Sequence, residues 1–215
     1  MKIKVVYDNE AKSPFQSDWG FSALIESDES ILFDTGDDGK ILLRNMKKMG
    51  IDTSSIDKVV LSHEHHDHTG GLYSILEKSM EVFVPKSFSK GFKKKVKERA
   101  SLIEIIDRKK ISERVLSLGE MGMDIIEQSI ICKSDRGNIL ITGCAHPGLT
   151  DIIQKAEDHG DIEAVIGGFH GFDDFDVLEN ISLIVPCHCT EYKDKIKERY
   201  PDKTKDCFAG LEIKV

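Results

Sequence analysis

The stretch LSHEHHDHTGG, residues 61–71, concentrates side chains that bind metals. Half of the eight histidines in the chain fall within it, together with one aspartate. Imidazole and carboxylate groups are the ligands of borderline divalent ions such as zinc, manganese and iron. The preceding residues, IDKVVLS, are rich in β-branched side chains and predict a short strand that ends at the cluster. The alternative is a solvated, histidine-rich polar loop.

The spacing within the cluster predicts two adjacent metal positions. Alternate residues of an extended backbone project to the same side, which places His63, His65 and Asp67 together. His68 follows where the chain turns toward a helix. We therefore expect His63 and His65 to bind one ion, and Asp67 and His68 to bind a second. His66 is expected to point away from its neighbours and not to bind.

The cluster resembles the H-x-H-x-D-H signature of the metallo-β-lactamase superfamily, and ILFDTG upstream resembles its first motif. The segments VYDNEA, WGFSALIE, ILITGCAHPG, GGFHG and PCHCTE are similar, in order, to a narrower branch. That branch includes the archaeal synthase that joins a dihydropterin to an aminobenzene riboside phosphate, and many proteins called only metal-dependent hydrolases. The resemblance implies an α/β fold, an αββα sandwich of two mixed β-sheets flanked by helices, with residues 1–215 as a single domain.

The resemblance also implies two further ligands, each after an apolar strand. His146 in GCAHPG would complete the first metal position, and His188 in PCHCT the second. Cys144 stands where much of the superfamily has a bridging aspartate, and it is interpreted either as a thiolate ligand or as a small buried residue. Glu127 falls where another motif histidine is usual, and it is a candidate substrate contact. The implied cofactors are two divalent ions, with zinc expected and manganese, iron or magnesium as alternatives.

Other residues are assigned supporting or catalytic roles. Asp34 in FDTG is predicted to be a buried carboxylate that orients ligands or loop amides. His170 in GGFHG is predicted to donate a proton or to contact the substrate, and Asp67 is assigned a catalytic role besides metal binding. Asn9, at the end of the first strand, is a candidate substrate contact, although a surface turn fits the sequence nearly as well.

Two reactions fit these expectations. In the first, two ions about 3.5–4 Å apart lower the pKa of bound water toward ~7, and the hydroxide attacks an ester-like or phosphoester bond of a small molecule. The second, implied by the resemblance, is a transferase that condenses a dihydropterin methyl diphosphate with an aminobenzene riboside phosphate. Glu191 and Gly171 depart from that branch's pattern and the chain is short for it, which favours the hydrolase.

Two further classes are disfavoured. A di-iron oxygen-reducing protein would tend to have glutamate at position 65 and a second domain, whereas this chain has His65 and no second domain is expected. A non-catalytic metal-binding module would have an incomplete ligand set, and this set is intact apart from the question of Cys144.

The composition of the chain restricts the binding partners and the cellular compartment that we expect. A formal net charge of −8 disfavours binding to nucleic acid or to an anionic membrane. No apolar run approaches the ~18 residues of a membrane span. Five cysteines without small-scaffold spacing indicate reduced thiols and a cytoplasmic protein, and Cys187 and Cys189 lack the spacing of a structural zinc site. The expected partner is a small molecule, phosphorylated if the lysine-rich residues 86–99 border the metals; the alternative for that stretch is a solvated helix face. Oligomeric state is not indicated.

Apolar periodicity predicts the elements that position these residues. The predicted helices are DDGKILLRNMKKMG, GGLYSILEKSM, residues 87–99, PGLTDIIQKAEDHG, DDFDVLEN and TEYKDKIKERY. The predicted strands are KIKVVY, the hairpin FSALIESDESILF, IDKVVLS, EVFVP, residues 102–106, 114–118, 124–132 and 138–142, IEAVIGG, ISLIVPC and AGLEIKV. Strands that precede an alternation of strands and helices indicate a sheet packed in layers with helices.

Overall fold

A computed structural model describes residues 1–214, in which strands alternate with helices. The strands are β1 (Lys2–Tyr7), β2 (Ser22–Glu26), β3 (Ser30–Phe33), β4 (Lys58–Val60), β5 (Glu81–Pro85), β6 (Ser101–Ile105), β7 (Lys109–Lys110), β8 (Val115–Ser117), β9 (Ile130–Lys133), β10 (Asn138–Thr142), β11 (Ile162–Gly168), β12 (Leu183–Cys187) and β13 (Glu212–Lys214). The α-helices are α1 (Gly39–Lys48), α2 (His66–Thr69), α3 (Lys90–Lys97), α4 (Leu149–Glu157) and α5 (Lys193–Arg199). Short 3₁₀ turns lie at Thr53–Ser55, Leu72–Ser74 and Phe175–Leu178. Val215, the end of the predicted closing strand, lies outside the described residues.

The strands of residues 1–214 form two mixed sheets. The first has the order β13-β1-β2-β3-β4-β5-β6 and the second the order β12-β11-β10-β9-β8-β7. In the first sheet β3, β4, β5 and β6 run parallel, and in the second sheet β10, β11 and β12 do so. The loops after β3, β4, β10, β11 and β12 carry all the predicted site residues except Asn9 and Glu127. These five loops lie at the carboxyl ends of parallel strands, where α/β sheets commonly bind ligands.

The apolar core has three layers that match the sheets and helices. The central layer contains Val60 and Phe33 from the first sheet with Ile141 and Ile166 from the second, all fully or nearly fully buried. A second cluster packs α1 and α3 against the outer face of the first sheet, and a third packs α4 and α5 against the second. The predicted αββα sandwich is therefore confirmed. No helix within residues 1–214 is both long enough and apolar enough to span a membrane.

Helix α1 shows how the sequence defines an element. The side chain of Asp38 accepts hydrogen bonds from the backbone N–H groups of Lys40 and Ile41, which caps the first turn. Its apolar stripe, including Leu42 and Met46, is buried. Gly50 follows at φ +68°, a conformation that favours glycine and ends the helix.

Three of the predicted elements are wrong. The helix predicted over DDFDVLEN is only the 3₁₀ turn Phe175–Leu178. The helix predicted over residues 70–80 is only the 3₁₀ turn Leu72–Ser74, because helix α2 forms earlier, inside the histidine cluster. A Cβ at Gly71 would come within 2.2 Å of the Thr35 carbonyl oxygen, so this pair of glycines serves close backbone packing. The strand predicted over residues 124–132 begins only at Ile130, because the preceding residues form a loop around Glu127.

Candidate metal centre

The histidine cluster begins in the loop after strand β4 and continues into helix α2. His63 is buried and His65 is exposed, and His63 Nε2 lies 3.0 Å from His65 Nδ1. Helix α2 begins at His66, so Asp67 and His68 lie on a helical turn rather than on the extended segment that the sequence predicted. His66 is exposed and its Nδ1 lies 2.7 Å from Asp37 Oδ1, away from the other rings, as expected.

The first group of potential ligands contains three histidines: His63, His65 and His146, here called the imidazole set. One nitrogen from each ring lies within 4.8 Å of the others. His146 comes from the loop after β10, and its ring centroid is 4.9 Å from that of His63. Among the described residues, the Nε2 atom of His146 is buried without a hydrogen-bond partner. An orphaned imidazole nitrogen aimed at two other rings fits a metal ligand.

The second group, Asp67, His68 and His188, is here called the mixed set. Its ligand atoms also lie within 4.8 Å of one another. Asp67 Oδ2 is 3.1 Å from His188 Nε2 and 3.7 Å from His68 Nε2. The ring centroids of His63 and His68 are 4.3 Å apart, so the two sets are adjacent. The donor chemistry of nitrogen and carboxylate oxygen suits zinc, manganese or iron.

Cys144 lies between the two sets. Its Sγ is 3.1 Å from His68 Nε2, and it groups with His63 and His68 within 4.8 Å. It is also buried. The thiol thus faces potential ligands and is not merely a small residue in the apolar core. A ligand role for Cys144 stays a prediction.

Cys189 was not expected at the site but lies beside Cys144. The sulfur atoms of Cys144 and Cys189 and a nitrogen of His188 lie within 4.8 Å of one another. A hydrogen bond from the Cys144 thiol lowers the pKa of Cys189, and the same bond, with burial, raises the pKa of Cys144. The only sequence signal was that Cys189 directly follows His188, and the C-x-C spacing had argued against it.

Three rings have their tautomer set by an oxygen at Nδ1. His68 Nδ1 is 2.7 Å from Asp34 Oδ2, and His188 Nδ1 is 2.8 Å from Asn9 Oδ1. His63 Nδ1 is 2.9 Å from Ser62 Oγ, which itself donates to Asp34. Each Nδ1–H therefore donates to oxygen, which orients the Nε2 atom of each ring toward the other ligands. Sequence reasoning did not identify Ser62.

Asp34 forms hydrogen bonds to residues at both ends of the histidine cluster, Ser62 and His68. It is fully buried at φ +56°, and its carboxylate accepts hydrogen bonds from Ser62 N–H, Ser62 O–H and His68 Nδ1–H. This geometry fits the ligand-orienting role predicted from the sequence.

The structure corrects the expectation for Glu127. This carboxylate is 1 % exposed, and it accepts hydrogen bonds from the backbone N–H groups of four consecutive residues, 143–146. Burial raises its pKa, and the N–H groups of residues 144–146 offset this only in part. Glu127 therefore holds the loop that carries Cys144 and His146, and it does not face a substrate.

The expectation for Asn9 also needs correction. Its side-chain oxygen accepts from His188 Nδ1–H and from Gly20 N–H, and its amide donates to the His188 carbonyl oxygen. Its neighbour Asp8, for which the sequence left a pocket residue and a surface turn open, is fully buried and accepts from the His188 N–H at 2.8 Å. His188 has φ +45°, so two polar neighbours hold it in a conformation that non-glycine residues rarely adopt.

His170 lies at the edge of the site. It is exposed, and its ring centroid is 5.1 Å from that of His146. Together with His146 and Phe172 it lines a cavity of ≈ 430 Å³. The structure thus places His170 beside the imidazole set and on the wall of this cavity, and its catalytic role stays a prediction.

The electrostatics favour neutral rings at His63, His146 and His188 beside an ionised carboxylate. His68 differs, because burial opposes its charge but the Asp34 carboxylate outweighs this and raises its pKa. Burial lowers the pKa values of His63 and His188, and burial together with His170 lowers the pKa of His146 to about 4. Burial opposes ionisation of Asp67, but the His188 hydrogen bond and the charge of His68 hold its pKa below its usual range. Neutral nitrogen and ionised oxygen are the protonation states that bind metals.

Comparison with known proteins identifies the family. Residues 20–84 match the model of the metallo-beta-lactamase superfamily. The chain is also 30% identical to the 7,8-dihydropterin-6-methyl-4-(beta-D-ribofuranosyl)-aminobenzene-5'-phosphate synthase of Methanocaldococcus jannaschii, over 94% of this chain and 92% of that protein. This chain belongs to the metallo-β-lactamase superfamily.

Solved structures of the superfamily match along the whole chain. Tm1679, described as a metal-dependent hydrolase of the β-lactamase superfamily, is 28% identical, with a TM-score of 0.86 over 100% of this chain and 99% of that one. Zinc-bound PqqB from Methylobacterium extorquens has a TM-score of 0.69 over 100% of both chains at 10% identity, which shows the shared fold alone.

Proposed function

We propose that this protein is a dinuclear metal-dependent hydrolase that cleaves an ester-like or phosphoester bond of an anionic small molecule. The observation that carries the proposal is the adjacency of two ligand sets. The imidazole set and the mixed set each offer three donor atoms within 4.8 Å, and Cys144 lies between them. Two ligand sets so close together suit a pair of ions acting on one bond.

The chain would hold one ion with the imidazole set and the other with the mixed set. When bound, two divalent ions polarise a substrate oxygen and lower the pKa of coordinated water toward ~7. Zinc is the favoured ion because imidazole and thiol groups surround the site, with manganese, iron or magnesium as alternatives.

The residues around the ligands perform the remaining steps. Asp67 is ionised and only partly buried, so it can bind metal and also accept a proton at the open side of the site. His170 is exposed beside His146 and can donate a proton to the leaving oxygen. Asp34 and Asn9 hold His68 and His188 in fixed orientations, which limits reorganisation during the reaction.

The lysine-rich helix α3 supports an anionic substrate, with a phosphate group as the first candidate. Glu64, which separates His63 from His65, accepts hydrogen bonds from the backbone N–H and the hydroxyl of Ser89, each at 2.5 Å. Ser89 caps α3, so this basic helix is fixed to the metal-binding segment. A cavity of ≈ 440 Å³ next to α3 is lined by His66, Tyr73 and Lys95.

Free thiols at the site suit a reducing compartment, which we propose is the cytoplasm.

A second candidate is a transferase that condenses a dihydropterin methyl diphosphate with an aminobenzene riboside phosphate. The 30% identity to the synthase of Methanocaldococcus jannaschii favours it. The same residues would serve both reactions, with an aromatic nucleophile in place of water.

One experiment separates the two reactions. Protein loaded separately with zinc, manganese or magnesium is incubated with the dihydropterin methyl diphosphate, with and without the aminobenzene riboside phosphate, and in parallel with phosphodiester, lactone and thioester substrates. Mass spectrometry identifies the products, with His65→Ala as the inactive variant and His66→Ala as its matched control. Hydrolysis that requires His65 but not His66 supports the hydrolase. A condensed product with that dependence would overturn it in favour of the transferase.

A further inference from the structure

The single tryptophan of the chain, Trp19, lies in the open beside a potential metal ligand. Its side chain is 57 % exposed, whereas most large apolar side chains are buried. The indole and the His188 ring make an edge-type contact, with 4.9 Å between ring centroids and 61° between ring planes. An aromatic ring left open next to a ligand is available to contact whatever binds there.

The backbone around Trp19 is tightly held, so the indole does not sit on a loose loop. Gly20 N–H donates to Asn9 Oδ1, the same oxygen that accepts from His188. A Cβ at Gly20 would come within 2.5 Å of the Asp67 carbonyl oxygen, so this backbone packs directly against helix α2. The backbone next to Trp19 is therefore fixed relative to His188, through Asn9, and relative to Asp67.

A second exposed apolar side chain lies at the opposite end of the site. Met123 is 93 % exposed and lines a cavity of ≈ 500 Å³ together with His146. The rings of His146, His63, His68 and His188 form a row with centroid separations of 4.9, 4.3 and 5.1 Å. Trp19 and Met123, the two most exposed large apolar side chains of residues 1–214, thus flank the two ends of this row.

We propose that Trp19 is a substrate-binding residue that stacks on a planar aromatic ring of the substrate, while an anionic group of the same molecule lies over the ligand row. This rests on the proposed function only in placing the substrate at the metals, and it does not depend on which bond breaks. The indole offers a flat face that matches a planar ring better than a puckered saturated one. Offset stacking beyond simple burial corresponds to roughly a three- to tenfold gain in affinity.

The test compares phenylphosphonate with cyclohexylphosphonate. Both carry the same anionic group, neither contains an ester bond, and only the first has a planar ring. Binding to zinc-loaded protein is measured by calorimetry and by the fluorescence of Trp19, which is the sole indole. We expect phenylphosphonate to bind about three- to tenfold more tightly and to change the fluorescence. Trp19→Ala should remove the preference, Trp19→Phe should retain part of it, and Leu43→Ala, on helix α1, should leave it unchanged.

Methylphosphonate binding shows whether each variant keeps its metal site, and its affinity should be unchanged by Trp19→Ala. Equal affinities of the two ring compounds, absence of binding by both, or a preference that survives in Trp19→Ala would overturn the proposal. Its failure is distinct from failure of the proposed function. Ring preference without hydrolysis would refute only the hydrolase, and hydrolysis without ring preference would refute only the role of Trp19.

Discussion

The two ligand sets are adjacent, yet they are supported in different ways. In the imidazole set His65 is exposed and its ring pairs with His63, and His146 has a buried nitrogen without a partner, so within residues 1–214 only the His63 ring of this set is hydrogen-bonded to a residue outside it. In the mixed set His68 is hydrogen-bonded to Asp34, and the ring and backbone of His188 are held by Asn9 and Asp8. Hydrogen bonds to the outer nitrogen of a ligand orient it and raise its affinity for metal.

The difference teaches that the ligand count alone does not determine how each ion is bound. Each set has three donors, but the mixed set is preorganised by neighbouring polar groups and also has Cys189 beside His188, whereas Cys144 adjoins both sets. We therefore expect the mixed set to bind the first ion and the imidazole set the second, weaker one.

The largest expected effect is that of Asp67→Ala. Loss of this carboxylate removes a ligand and a proton acceptor, so hydrolytic activity should fall by more than about 100-fold. The adjacent variant His66→Ala is the matched control, because His66 points toward Asp37 and away from both sets. Initial rates of the two zinc-loaded variants test this, and similar losses in both would contradict the assignment.

The variants Asn9→Ala and Ser62→Ala test the comparison directly. Asn9 supports His188 in the mixed set, and Ser62 supports His63 in the imidazole set. Loss of such a partner should weaken metal binding by about 10–100-fold. Zinc titration against a competing chelator should show the tighter step weakened by Asn9→Ala and the weaker step by Ser62→Ala. The reverse pattern would mean that the imidazole set binds first.

Glu127→Gln should destabilise the protein before it affects any chemistry. The substitution replaces a buried carboxylate that accepts from four backbone N–H groups, and unsatisfied buried donors cost about 1–3 kcal/mol. Urea unfolding of the metal-free protein measures the change, with Glu157→Gln on the exposed face of α4 as the control. An unchanged urea midpoint for Glu127→Gln would show that the loop of residues 143–146 does not depend on this carboxylate for its stability.

The smallest effect expected is a pH dependence of the metal-free protein. The pKa of His146 falls from 6.5 to about 4 on folding, because burial and His170 disfavour its charge. The unfolded chain therefore takes up a proton first, and the stability from a neutral His146 is lost as pH falls from 6.5 toward 4. His63 and His188 act in the same direction. Urea midpoints across this range should decrease less steeply in His146→Gln, and an identical slope would contradict the prediction.

The sequence predicted the parts of the site that are local or that follow strands. Six consecutive positions contain the cluster, and His146 and His188 each lie just after a strand, so motif and periodicity located them. It did not reveal Glu127 as the support of residues 143–146, because its partners are backbone N–H groups, which every non-proline residue has. The same limit applies to the contact of Asp8, whose partner is the N–H of His188.

The fold, like the site, was predicted correctly where local sequence determines it. Alternating apolar residues predicted most strands, and the hairpin of β2 and β3 lies where the sequence placed it. The helix predicted over residues 70–80 does not form as predicted, because long-range packing of Gly71 against Thr35 determines the backbone conformation there. Periodicity in the sequence does not detect such contacts.

Metal stoichiometry tests the central claim most directly. Native mass spectrometry of the protein during a zinc titration should show one ion binding before the second, with two ions per chain at saturation. Asp67→Ala should lose the first, tighter ion, whereas His65→Ala should lose the second and keep the first. Saturation at one ion in the unaltered protein, or loss of both ions in His65→Ala, would contradict a site built from two separate ligand sets.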